Sequence, residues 1–146
     1  MNGSFSLSIV TRQDLVITND SSYYFKVYDR NKKLVLEGKK GAYQQMTGLV
    51  KFYYADGSIE RTEFYRADNE IPDSTRISYS DGTTPWGTWT YYNKNGQVFK
   101  TILYSAEKST DNTEICEIIT TTIFNRDNVI KSRQRKKKEC RKNNSI

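Results

Sequence analysis

Gly87-Thr88-Trp89-Thr90-Tyr91-Tyr92-Asn93-Lys94-Asn95-Gly96-Gln97-Val98-Phe99-Lys100-Thr101-Ile102-Leu103-Tyr104 decides the fold. An aromatic run enters a polar Asn-Gly turn and leaves as a second extended run. Glycine accepts the positive φ that tight hairpin turns need, and aromatic and β-branched residues fit the half-buried pleated surface on either side. Alternation sorts the faces, with Trp89 and Tyr91 on one and Thr88, Thr90 and Tyr92 on the other. The segment predicts a β-hairpin.

The same layout recurs. Residues 48–65 repeat it around Asp56-Gly57, with a turn read as one residue shorter; residues 23–36 and 119–130 carry two degenerate copies. Tyr28, Tyr54, Tyr92 and Phe124 stand just before the turns, and Leu34, Ile59, Val98 and Ile130 just after. Phe25 and Val27 share a side, as do Val50, Phe52 and Tyr54. Outside the cassettes, Phe5, Leu7 and Ile9 alternate with serines, and Leu15-Val16-Ile17 predicts another strand. Residues 68–75 and 80–85 read as linkers around a short strand at Ile77 and Tyr79, and residues 105–113 as a polar loop. Lys131 to Lys138 has good helix formers and almost no apolar stripe, which predicts a helical or frayed end. The fold class expected is all-β: an antiparallel meander of successive hairpins forming an elongated curved sheet over residues 1–130, then a basic, disordered tail at 131–146.

The cassettes resemble variants of the MORN repeat found in bacterial proteins, among them toxin–antitoxin components. The resemblance lies in Gly87, Trp89, Tyr91, Tyr92, Asn95, Gly96, Val98 and Tyr104, and again in Gly48, Val50, Tyr53, Tyr54, Asp56, Gly57, Ile59 and Tyr65. It implies stacked hairpins used as a binding scaffold and supplies no catalytic residue. The third and fourth copies depart from it, with Lys32 and Asn128 where Gly96 stands.

At 146 residues the chain is long enough for one domain with a core. A mean hydropathy of −0.79 makes it polar, yet its eleven tyrosines make it too aromatic to read as disordered throughout. No apolar run is long enough for a transmembrane segment. Met1-Asn2-Gly3-Ser4 lacks a secretory signal's basic and apolar regions, which predicts a cytoplasmic protein, or a secreted one where a signal has been removed. The net charge is +6, but eight basic residues and one acid between Lys131 and Lys142 already make +7, so the remainder stands at −1. The basic character belongs to the end of the chain.

Cys116 and Cys140 leave one disulfide open, and Cys140 sits among cations that favour its thiolate. With no histidine there is no Cys-His or Ser-His dyad and no imidazole metal ligand. A two-thiolate zinc site needs carboxylate help that local spacing does not offer. Acids are plentiful, but those around Asp56 and Glu60 belong to a turn, and none stands in an apolar flank that would raise its pKa. No catalytic residue, metal or cofactor is implied, and the chain is not expected to be an enzyme.

The expected function is a protein-interaction module, in an antitoxin, immunity or accessory role, with Tyr53, Tyr54, Trp89, Tyr91 and Tyr92 as aromatic anchors on the sheet. The alternative is nucleic-acid binding through Lys131, Arg133, Arg135, Lys136, Lys137, Lys138, Arg141 and Lys142, dominated by phosphate charge. A homodimer through the less charged segment 115–124 is a further expectation, with Lys51, Arg61 and Lys100 guarding open edges.

Overall fold

The computed structural model describes residues 10–17, 23–41, 45–66 and 84–143. Among these residues ten strands make one antiparallel sheet: β1 (Val10–Ile17), β2 (Tyr23–Asp29), β3 (Leu34–Lys40), β4 (Met46–Tyr53), β5 (Ile59–Arg66), β6 (Thr84–Pro85), β7 (Gly87–Tyr92), β8 (Val98–Lys108), β9 (Glu114–Phe124) and β10 (Ile130–Lys142). They lie in chain order, except that β6 pairs with β5 beside β7. The sheet is elongated and not closed into a barrel, and among the described residues β1 and β10 are its edges. The meander of hairpins expected from the sequence is the fold.

One turn geometry generates it. Asp29, Tyr54, Asn93 and Asn125 each donate their N–H to the carbonyl four residues on, and each carbonyl accepts from the N–H three residues on, at 2.8–3.1 Å. The fourth residue of each turn has positive φ: Lys32 at 62°, Gly57 at 89°, Gly96 at 80° and Asn128 at 63°. The side chains of Asp29, Asn93 and Asn125 also accept backbone N–H bonds from inside their turns. Tyr54 has no such acceptor, and Asp56 Oδ1 takes over by accepting from Ser58 N at 2.9 Å. The degenerate copies therefore turn as the good ones do.

This geometry also corrects the reading of the second copy. Its turn is not shorter. Tyr54 occupies the turn-opening place of Asp29, Asn93 and Asn125, so Tyr53 is the counterpart of Tyr28, Tyr92 and Phe124. Because the hairpins succeed one another, these four turns lie at the same end of the sheet. Neighbouring turns are tied together: Lys33 Nζ donates to Ala55 O at 3.0 Å, and Tyr54 OH donates to Tyr92 O at 2.7 Å.

Strand alternation divides the side chains between two faces. The inner face buries Phe25, Val27, Leu36, Val50 and Tyr65, with Tyr23, Met46, Phe52 and Trp89 packed against them. Val50 is wholly buried, and it fits only because its neighbour has no side chain: a Cβ on Gly38 would lie 2.8 Å from Val50 Cγ2. Farther along, β9 buries side chains on both faces, Ile115 on the inner one and Cys116 and Ile118 on the outer one.

The end of the chain departs from expectation. Residues 131–138 are not helical; they belong to β10, which pairs with β9 from Ile130↔Phe124 to Lys142↔Glu114. Helix propensity is a local preference, and a polar helix without an apolar stripe gains nothing from packing, whereas a strand here continues the ladder. Cys116 and Cys140 face each other across that ladder and form a disulfide, with Cα atoms 4.0 Å apart. Beyond it, Asn143 N donates to Thr113 O at 2.8 Å and Asn143 Nδ2 to Asn112 O at 2.9 Å.

Three smaller expectations are also corrected. Residues 105–108 are strand, paired with 115–118 of β9, leaving a shorter loop before Glu114. Thr84 and Pro85 pair with Arg66 and Tyr65 instead of forming a linker. Segment 115–124 is no open edge, since β9 lies between β8 and β10; Lys51, Arg61 and Lys100 likewise stand on interior strands. The strands read around Phe5 and Ile77 lie outside the described residues.

Two substitutions test this account. Gly38→Ala is expected to lower the unfolding free energy by about 1–3 kcal/mol through overpacking against Val50. Lys32→Gly is expected to raise it by about 1 kcal/mol by relieving a left-handed lysine. Urea denaturation midpoints measure both.

Candidate functional site

The polar centre of the inner face is built on β5. Glu63 is buried, and charge is tolerated there because Arg61 Nε donates to Glu63 Oε2 at 2.7 Å and Tyr65 OH donates to Glu63 Oε1. Arg61 also reaches Glu60 at 3.0 Å and lies over the Phe52 ring, its Cζ 3.7 Å from the centroid. Trp89 packs between Tyr65 and Tyr104, at centroid distances of 5.3 and 4.8 Å, and donates Nε1–H to Phe64 O at 2.9 Å. Lys100 Nζ sits 4.1 Å from the Tyr91 centroid. These contacts make a continuous aromatic cluster with a carboxylate–guanidinium pair at its centre.

Burial pushes the Tyr104 hydroxyl up to about 12, with Tyr91 and Glu63 adding to it. Burial and then Glu63 raise Tyr65 further still. Such phenols stay neutral and act as hydrogen-bond donors, which suits a structural role. Glu63, the most buried carboxylate among the described residues, is held by two donors.

The outer face has a different character. Tyr24, Leu49 and Leu103 are 53%, 47% and 41% exposed, and register places all three opposite the core. A cavity of about 520 Å³ opens between β2, β3 and β4, lined by Tyr24, Lys26, Glu37, Leu49 and Lys51. Tyr53 OH donates to Glu37 Oε1 at 2.6 Å, and burial, reinforced by that carboxylate, raises Tyr53 to about 12. Lys39 lies over the Tyr24 ring at 5.9 Å.

The five aromatic residues expected as anchors do not form one patch. Trp89 and Tyr91 belong to the inner cluster, Tyr53 and Tyr92 to the outer face, and Tyr54 to the row of turns. All five are half-buried. Sequence reading missed Tyr24, Leu49 and Leu103. The available signal was adjacency: in Tyr24-Phe25 and Leu49-Val50 neighbouring apolar residues must point to opposite faces, so one of each pair is left outside the core.

The eight cations of the nucleic-acid alternative all stand on β10 and are all exposed. Two of them, Arg135 and Lys137, line a cavity of about 250 Å³ that Glu107 also lines. Arg135 pairs with Glu107, and Arg133 Nε donates to Thr122 Oγ1 at 3.4 Å. At the disulfide, a Glu114 carboxylate oxygen lies within 4.8 Å of both sulfurs: two residues before Cys116 on the same strand, it shares that cysteine's face, and pairing with β10 brings Cys140 to them. The sulfurs are bonded to each other and offer no thiolate ligand in this state.

Compared with known families, residues 46–67 and 87–106 match the MORN repeat variant. These are the β4–β5 and β7–β8 hairpins, the two good copies of the cassette. No curated protein matches the chain.

The raised phenols predict a pH dependence. In the unfolded chain tyrosine ionises near 10, whereas Tyr104 and Tyr53 hold their protons to about 12 in the fold. The folded state then binds more protons than the unfolded one, so stability is present in full below pH 10 and is lost as pH climbs through that window. Denaturation midpoints measured from pH 9 to 12 should fall, and Tyr104→Phe should make the fall shallower (about one phenol's share).

Proposed function

We propose that this chain is a non-catalytic protein-binding scaffold that holds its partner on the outer face of the sheet. One observation carries the reading: Tyr24, Leu49 and Leu103 stand exposed on the face opposite the core. A single-layer sheet needs only one apolar face to fold, and the other is free to be polar. Tyr24 and Leu49 line one cavity on that face, and exposed apolar side chains brought together in this way mark a contact surface. Tyr53 and Tyr92 add half-buried rings to it, and such rings give large contact area with few rotatable bonds. Trp89 and Tyr91 support the surface from behind, within the inner cluster, and Tyr54 braces the turns. The biological role we assign is that of an antitoxin, immunity or accessory factor, and what supports it is the match of two hairpins to the MORN repeat variant. Catalysis is no part of this reading, since Glu63 is engaged by Arg61 and Tyr65 inside the sheet.

Affinity purification from the native host tests it. Leu49→Lys combined with Leu103→Lys should abolish recovery of the partner while leaving the far-ultraviolet circular dichroism and Tm unchanged. Trp89→Phe should lower Tm yet retain the partner. Undiminished recovery by the double variant overturns the assignment.

A further inference from the structure

The edge strand β10 lacks several of the devices that protect an edge. It runs 13 residues, contains no proline or glycine, and its outward backbone groups are unpaired among the described residues. Long open edges invite pairing, and natural sheets blunt them with short strands, prolines or charge. Here charge is the main device: residues 131–142 carry a net +7, and the ladder to β9 is regular from Ser132 to Lys137, between two register shifts. That charge repels a second copy of β10 laid alongside it. It does the reverse to a strand of opposite sign.

We propose that β10 is a docking edge for an extended acidic segment of a partner protein, which adds to the sheet as one more strand. The Cys116–Cys140 pair, with Cα atoms 4.0 Å apart, is of the close, non-hydrogen-bonded kind. Alternation along β9 then leaves Arg133, Arg135 and Lys137, which face Thr122, Thr120 and Ile118, with their N–H and C=O groups turned to the open side. Cations lie on both faces of the strand: Arg133, Arg135 and Lys137 with the outer face, Lys136 and Arg141 with the inner one. An incoming strand meets a positive partner whichever way its side chain points, and directly opposed unlike charges stabilise a ladder.

The edge is also fixed in place. The turn at Asn125, the disulfide and the Asn143 bonds hold β10 at three points along its length, so little ordering cost opposes docking. A polynucleotide would use the charge but leave the carbonyls of the edge unpaired, and no aromatic residue on β10 offers a base a surface to stack on. Strand addition satisfies both the backbone and the charge. This surface is separate from the outer face assigned above, and it stands or falls independently.

The test uses the full oxidised chain and three fluorescent probes: a peptide alternating glutamate with valine, the same peptide N-methylated at alternate backbone positions, and an oligothymidylate of equal charge. Anisotropy titrations should show the unmodified peptide binding, with the N-methylated form and the oligonucleotide each weaker by roughly tenfold or more. Neutralising Arg133, Lys136 and Lys137 to glutamine should weaken the peptide similarly, and the Leu49→Lys/Leu103→Lys variant should bind it as the parent does. Equal binding by the N-methylated peptide, tighter binding by the oligonucleotide, or no peptide binding overturns the proposal. The N-methylation comparison is made on the unsubstituted chain, so it decides the matter even where a charge variant folds poorly.

Discussion

Everything in this molecule depends on one main-chain constraint: a turn whose first residue is bonded twice, to the third and fourth residues after it, with a left-handed backbone at the third. That geometry sets the register of each hairpin, and register decides which side chains meet the core. Sliding any hairpin by one residue would send Val50 or Phe25 to water and Leu49 or Tyr24 inward. Two of the four positions are glycines. Lys32 and Asn128 accept the same backbone at some strain, which the flanking ladders and the side-chain acceptors of Asp29 and Asn125 offset.

Among the described residues no second sheet or helix covers this sheet, and the inner face is stabilised by its own side chains. Rings laid against one another do this, together with the Arg61–Glu63 pair set between Phe52 and Tyr65. The buried Glu63 is satisfied by neighbours from its own strand, a local solution that tolerates the open architecture. The outer face and the free edge then remain available for other work.

Much of this was legible in the residues. Asn95-Gly96 and Asp56-Gly57 announced hairpins because glycine and short polar side chains have few other reasons to stand together between aromatic runs. Lys32 and Asn128 aligned correctly with them because the turn leaves a fixed distance to Leu34 and Ile130. Tyr54 was placed one residue out because two adjacent tyrosines look alike until the backbone bonds show which opens the turn. Trp89 read as an anchor, yet its partners Tyr65 and Tyr104 are distant in sequence, and no local pattern reveals such a stack. The strand at residues 130–142 was hidden for a similar reason: its lysines and arginines favour helix by themselves, and only the opposing β9 makes them a ladder. Ser105 to Lys108 joined β8 through that same strand.

The disulfide carries a mechanical implication. Together with the turn at Asn125 it closes residues 116–140 into a covalent ring, so the β10 side of the sheet cannot peel away strand by strand. Both cysteines of the chain lie in that ring, and β1 at the opposite side has no such clasp. Heat or tension should therefore unzip the molecule in one direction, from β1 inward, with the cationic border the last part to let go.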